Sequence, residues 1–116
     1  MAFVLQLVDG VCVHSFVLDR PETVFGRKAE SDIVVDDTAV SGSHAVVRRV
    51  ANPDFPAYIE YILEDLKSTN GTKINEDDVI APMKLSDGDV ITIAWNTFKF
   101  IDDMAGTLEK TRQMLP

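Results

Sequence analysis

Leu63-Glu64-Asp65-Leu66-Lys67-Ser68-Thr69-Asn70-Gly71-Thr72 carries the reading of the fold. It closes one alternating segment, Tyr58 to Glu64, passes through a polar turn and opens another, Thr72 to Ile74. Alternation of apolar and polar residues marks a strand with one buried face. Asn70-Gly71 supplies a turn that tolerates positive φ and brings backbone N–H groups to the surface. The same rhythm continues in both directions. Phe3 to Val8 and Val11 to Leu18 flank Asp9-Gly10, a strong hairpin turn. Short strands are expected at Thr23 to Gly26, Ile33 to Val35, Ala45 to Val50 and Met83 to Leu85. Asn52 to Pro56 breaks the chain into a loop. Val90 to Trp95 and Phe98 to Asp102 read as a last hairpin around Asn96-Thr97, with Trp95, Phe98 and Phe100 as core or hairpin packing. Many short strands between frequent turns predict an all-β chain, a β-sandwich of two packed, mostly antiparallel sheets.

The 116 residues and 46% apolar content suit one domain with one core. Residues 1–103 are assigned to that domain. Beyond them, Met104, Leu108, Met114 and Leu115 lie among Glu109, Lys110, Arg112 and Gln113. The tail 104–116 therefore reads as a short amphipathic helix, a frayed end or the start of a linker. No apolar run is long enough to span a membrane. Met1-Ala2-Phe3 enters a strand pattern without a basic leader segment. Cys12 is the single cysteine, which removes an intrachain disulfide and argues against a structural zinc site. These features favour the cytoplasm. The formal net charge of −8 argues against general nucleic-acid or anionic-membrane binding, both of which need a basic face.

Three patches between the expected strands suit an anion better than a core: Gly26-Arg27, Ser41-Gly42-Ser43-His44 and Ser68-Thr69-Asn70-Gly71-Thr72. Arginine offers a planar fork of donors that matches phosphate, and the hydroxyls offer further donors. In this order and spacing the patches resemble the forkhead-associated (FHA) domain, a reader of phosphothreonine peptides. Ser31 to Asp37 leading into Val40-Ser41 and His44-Ala45, the stretch Leu63 to Thr72, and Leu85 to Ile91 carry the resemblance, which runs from about Thr23 to Ile101.

The resemblance implies an FHA/SMAD-like sandwich with its recognition loops at one end. It implies a phosphate held by Arg27, Ser41 and Thr69, and a peptide backbone bonded by Asn70. His44 then braces the serine loop, while Gly26 and Gly71 are structural. The methyl group of phosphothreonine, and a residue or two beyond it, would set partner choice. The expected partner is a Thr-phosphorylated protein or peptide, written by a Ser/Thr kinase, with no cofactor and no metal. Ser41, His44 and Asp65 could be imagined as a catalytic triad, but no nucleophile-elbow pattern surrounds the serine. The chain is read as a binding module, not an enzyme.

The chain departs from the family pattern in two places. Gly42 stands where the family usually has Arg, Lys or Asn, which removes a donor worth about 1.5–3 kcal/mol. The Gly42 N–H, Lys28 and Lys67 are the remaining local sources of compensation. The alternative reading, a phosphate-independent scaffold or homodimer module on the same fold, rests on this position. Asn75-Glu76-Asp77-Asp78 stands where the family commonly has Asn-Gly, and a longer, acidic turn is expected there.

Overall fold

The computed structural model describes residues 1–103. The predicted tail, with its candidate helix, lies outside the described residues. Eleven strands follow in chain order among those described: β1 (Ala2–Val8), β2 (Val11–Val17), β3 (Glu22–Gly26), β4 (Ile33–Val34), β5 (Ala45–Ala51), β6 (Ile59–Asp65), β7 (Thr72–Ile74), β8 (Asp77–Asp78), β9 (Met83–Lys84), β10 (Val90–Ile93) and β11 (Asn96–Asp102). They form two sheets, β2-β1-β11-β10-β7-β8 and β4-β3-β5-β6-β9. The only parallel neighbours among them are β3 and β4. This is the all-β sandwich that the strand rhythm predicts.

The alternation is what closes the two sheets on each other. Val4, Ile91, Ile93, Phe98 and Phe100 face inward from the first sheet and Phe25, Ala45, Val47, Tyr61 and Leu63 from the second. Phe25 meets Phe98 edge-on at 5.1 Å, and Tyr61 meets Phe100 at 5.4 Å. Burying each such large side chain is worth about 1.5–3 kcal/mol.

The β1–β2 hairpin turns on Asp9 (φ 52°) and Gly10 (φ 79°), the left-handed pair that a two-residue hairpin needs. Further along, Gln6 pairs with His14 but Leu7 with Cys12, so Val13 is an extra residue that bulges from β2.

Two turns differ from expectation. The last hairpin reverses at Ala94-Trp95, because Ile93 pairs with Asn96. Ala94 takes the left-handed conformation (φ 57°) usually given to Gly or Asn, which hid this turn from sequence reading. Phe98 and Phe100 are fully buried as expected, but Trp95 is 72% exposed and packs in no core. The acidic turn is shorter than expected: Ile74 pairs with Asp77, leaving only Asn75-Glu76 between the strands. Asn75 itself supplies the positive φ of 59°. Its side chain accepts from Val90 N at 3.1 Å and donates to Asp89 at 3.2 Å, so asparagine alone suffices without a following glycine.

Candidate functional site

Strand register gathers the three polar patches. Phe25 of β3 pairs with Ala45 of β5, which pairs with Asp65 of β6. The end of β3, the start of β5 and the end of β6 therefore lie side by side. Thr72, at the start of β7, pairs with Ile93 at the end of β10, which brings the Ala94-Trp95 turn to the same edge. Arg27, Ser41 to His44, Ser68 to Gly71 and Trp95 all emerge at one end of the sandwich.

Direct bonds then lock the loops. Arg27 N donates to Ser41 O at 3.0 Å, and Lys28 N donates to Gly42 O at 3.2 Å. Thr69 N donates to Ser41 Oγ at 3.0 Å. With a lone pair of Ser41 occupied, its hydroxyl hydrogen is available to an incoming acceptor. Asn70 Nδ2 donates to Ala39 O at 2.7 Å, and the rest of its amide has no hydrogen-bond partner among the described residues.

His44 is fully buried. Its Nδ1 accepts from Ser41 N at 3.0 Å and its Nε2 lies 2.8 Å from Gly71 O. A carbonyl can only accept, so the ring is the neutral Nε2–H tautomer. Both ring nitrogens are thus committed to backbone groups, and neither contacts Ser41 Oγ. The ring has no nitrogen free to take a proton from the serine, which removes the geometric basis of a triad.

Asp65 organises the other loop. Its carboxylate accepts from the Ser68 hydroxyl, from Ser68 N at 3.0 Å and from Thr72 Oγ1 at 2.7 Å. Partial burial works against its charge, but the hydrogen bonds from Ser68 and Thr72 outweigh it and hold the carboxyl below the usual range. The sequence showed Asp65 only as a triad candidate. Its spacing of three before Ser68 is the signal of an Asx-type turn that would have revealed this role. Sequence reasoning also missed Asp37 and Asn96. Asp37 accepts from Ala39 N at 2.9 Å and from Asn96 Nδ2 at 3.0 Å, and these bonds lower its pKa.

The two glycines differ in kind. A Cβ on Gly26 would sit 2.0 Å from Gly42 O, so a side chain there would force the loops apart. The three atoms nearest to a Cβ on Gly42 all belong to the Lys28 side chain, with Cε closest at 2.8 Å. The Lys28 stem therefore lies across Gly42. Arg27, Lys28 and Lys67 are exposed, and none pairs with a carboxylate among the described residues. Gly71 (φ 84°) and Lys67 (φ 59°) provide the left-handed bends of the Ser68 loop. A cleft of about 680 Å³ opens beside this loop, lined by Lys67, Thr69, Asn70, Ile80 and Pro82 among others.

The structure is an all-β sandwich of two sheets with three polar loops bonded to one another at one end. The chain belongs to the FHA-domain family, whose sequence model matches residues 23–94. It is 38% identical over 87 residues to the oxoglutarate dehydrogenase inhibitor of Corynebacterium diphtheriae, covering 75% of this chain and 55% of that protein. It is 31% identical over 97 residues to the transcriptional regulatory protein EmbR of Mycobacterium tuberculosis, covering 84% of this chain and 23% of EmbR. The chain thus spans about half and about a quarter of these relatives. Among solved structures, M. tuberculosis EmbR in complex with a low-affinity phosphopeptide superposes with a TM-score of 0.72 at 29% identity, over 86% of this chain and 24% of EmbR. The FhaA FHA domain complexed with the intracellular domain of Rv3910 gives 0.70 at 26% identity, over 86% and 99%.

Proposed function

We propose that this chain is a phosphothreonine-dependent protein-interaction module. One observation carries the reading. In a chain of net charge −8, Arg27 is bonded through its backbone N to Ser41 O, its exposed guanidinium has no carboxylate partner among the described residues, and no acceptor among them takes the Ser41 hydroxyl hydrogen. A dianionic phosphate suits that pair, because charge-assisted bonds from a guanidinium fork are the strong ones. Thr69 and Lys28 border the same place, and the open part of the Asn70 amide is suited to a peptide backbone. The solved EmbR complex with a phosphopeptide supports the assignment by likeness.

The Lys28 stem across Gly42 bears on the alternative of phosphate-independent docking. It leaves an ammonium where the family residue is missing, which favours the phosphate reading. The ligand would be written by a Ser/Thr kinase on a protein of the same compartment, and the cytoplasm is the compartment we assign. Titration with matched phosphorylated and unphosphorylated threonine peptides tests the function. Binding should require the phosphate and weaken below about pH 6, where phosphate loses its second charge. Equal binding of both peptides would overturn it in favour of the scaffold reading.

A further inference from the structure

Trp95 is the only tryptophan in the chain, and it stands 72% exposed on a two-residue turn. A single exposed apolar residue is ordinarily unremarkable in its meaning. This one is held in place by the recognition loops. Ala94 N, one residue before it, donates to Gly71 O at 3.2 Å. Asn96 Nδ2, one residue after it, donates to Asp37 Oδ2 at 3.0 Å. Asp37 in turn fixes Ala39 N, and Ala39 O receives the Asn70 amide. The tip that carries the indole is therefore tied to both loops that flank the phosphate seat. Asp36 lies one residue from the Asp37–Asn96 bond, is exposed, and its carboxylate has no partner among the described residues.

We propose that Trp95, with Asp36, forms a second recognition site that selects a basic residue, arginine above all, flanking the phosphothreonine. The proposal rests on the phosphothreonine reading above. An indole face is the best aromatic partner for a guanidinium, and Asp36, next in sequence to the Asp37 that binds Asn96, adds a carboxylate on the adjoining loop. The acidic chain as a whole also attracts a basic peptide. Reach limits the position. Two residues of chain from Thr69 to Gly71, the bond to Ala94 and one further residue span at most about 17 Å, which is about five residues of extended peptide. The selected residue lies within that distance of the phosphothreonine.

The test uses a phosphothreonine peptide of otherwise alanine composition, with arginine, or in a parallel set leucine, placed at one flanking position at a time. Affinity is measured by calorimetry, and Trp95 emission is followed as a direct reporter. One position should bind roughly three- to thirtyfold tighter with arginine than with alanine. Only that peptide should strongly change the indole emission. Trp95→Ala should bring the arginine-to-alanine ratio close to one, Trp95→Phe should keep part of it, and Asp36→Asn should reduce it. Phosphopeptide binding without an arginine preference, a leucine preference in its place, or a preference that survives Trp95→Ala would overturn this proposal and leave the phosphate reading standing. Failure of every phosphopeptide to bind the wild-type protein would overturn both.

Discussion

His44, with its ring fully buried, donates from Nε2 to the carbonyl oxygen of Gly71 at 2.8 Å. Gly71 O also receives Ala94 N at 3.2 Å, so one oxygen joins the β5 entry, the β6–β7 loop and the β10–β11 turn. The opposite edge of the same ring holds Ser41 N. His44→Ala should therefore do two things at once. Loss of packing and of two buried hydrogen bonds should cost about 2–4 kcal/mol, read as a fall in urea midpoint. The Ser41 amide, which loses its acceptor, should also exchange hydrogen faster than in the wild type. An unchanged midpoint with loss of ligand binding alone would contradict the bracing role.

Arg27→Ala should separate binding from folding. The side chain is exposed and makes no ion pair among the described residues, so the melting temperature should stay within about 1–2 °C, as for a surface substitution of at most ~0.5 kcal/mol. Phosphopeptide affinity should fall by at least about tenfold, the loss of one strong charge-assisted contact. Calorimetry on the folded variant decides; retained affinity would place the phosphate elsewhere.

Substitution at Gly26 should show the steric constraint between the loops. A Cβ there cannot coexist with Gly42 O at 2.0 Å, and the contact is with backbone that cannot swing aside. Gly26→Ala should destabilise the domain by about 1–3 kcal/mol, the range of an overpacked site, and loosen the Arg27–Ser41 contact. Thermal denaturation of the variant checks this, and a wild-type melting curve would show that the loops are less tightly apposed than their geometry indicates.

Gly42→Arg should behave in the opposite way. Gly42 has no positive φ, and its nearest obstacle is the flexible end of Lys28. The variant should fold, and the added cation should improve phosphopeptide binding by about 1–2 kcal/mol at low salt, with a steeper loss as salt is added. Displacement of Lys28 offsets part of the gain, so Lys28→Ala is the companion measurement and should weaken the wild type. Calorimetry at two ionic strengths reads both; no gain at low salt would mean that position 42 does not face the phosphate.

Acid sensitivity should trace to Asp65. Its folded pKa is depressed by the hydrogen bonds of Ser68 and Thr72, which prevail over burial. A depressed carboxyl stabilises the fold fully above its unfolded pKa of about 3.9 and loses that contribution as pH falls through the lower folded value. Asp65→Asn should cost about 1–3 kcal/mol near neutrality and flatten the stability profile below about pH 4. Denaturant unfolding across that range gives the comparison, and parallel wild-type and variant profiles would exclude Asp65 as the source.

Much of this was legible beforehand, for physical reasons. Period-two alternation around Tyr61 and Phe98 reports a sandwich because each strand must bury one face. Arg27, Ser41 and Thr69 could be picked out because donors that suit an anion suit a core badly. The roles of Asp37 and Asn96 were invisible, since their bond crosses 59 residues of sequence. Trp95 was misjudged because composition favours burial of indole, while the turn that exposes it depends on an alanine with positive φ. Gly42 read as a deficiency because sequence does not show that Lys28 leans over it.

The bulge at Val13 bears on how the molecule ends rather than on what it binds. β2 borders the larger sheet, carries no Asp, Glu, Lys or Arg, and exposes Val11, Val13 and Val17. An uncharged open border of this kind is a template for sheet-to-sheet growth between copies. The extra residue throws the outward N–H and C=O groups out of step midway along the strand, so a second copy laid against it keeps register for only a few residues on either side. The defect caps the sheet, and removing it by deleting Val13 would turn a self-terminating border into one open to fibre-like extension.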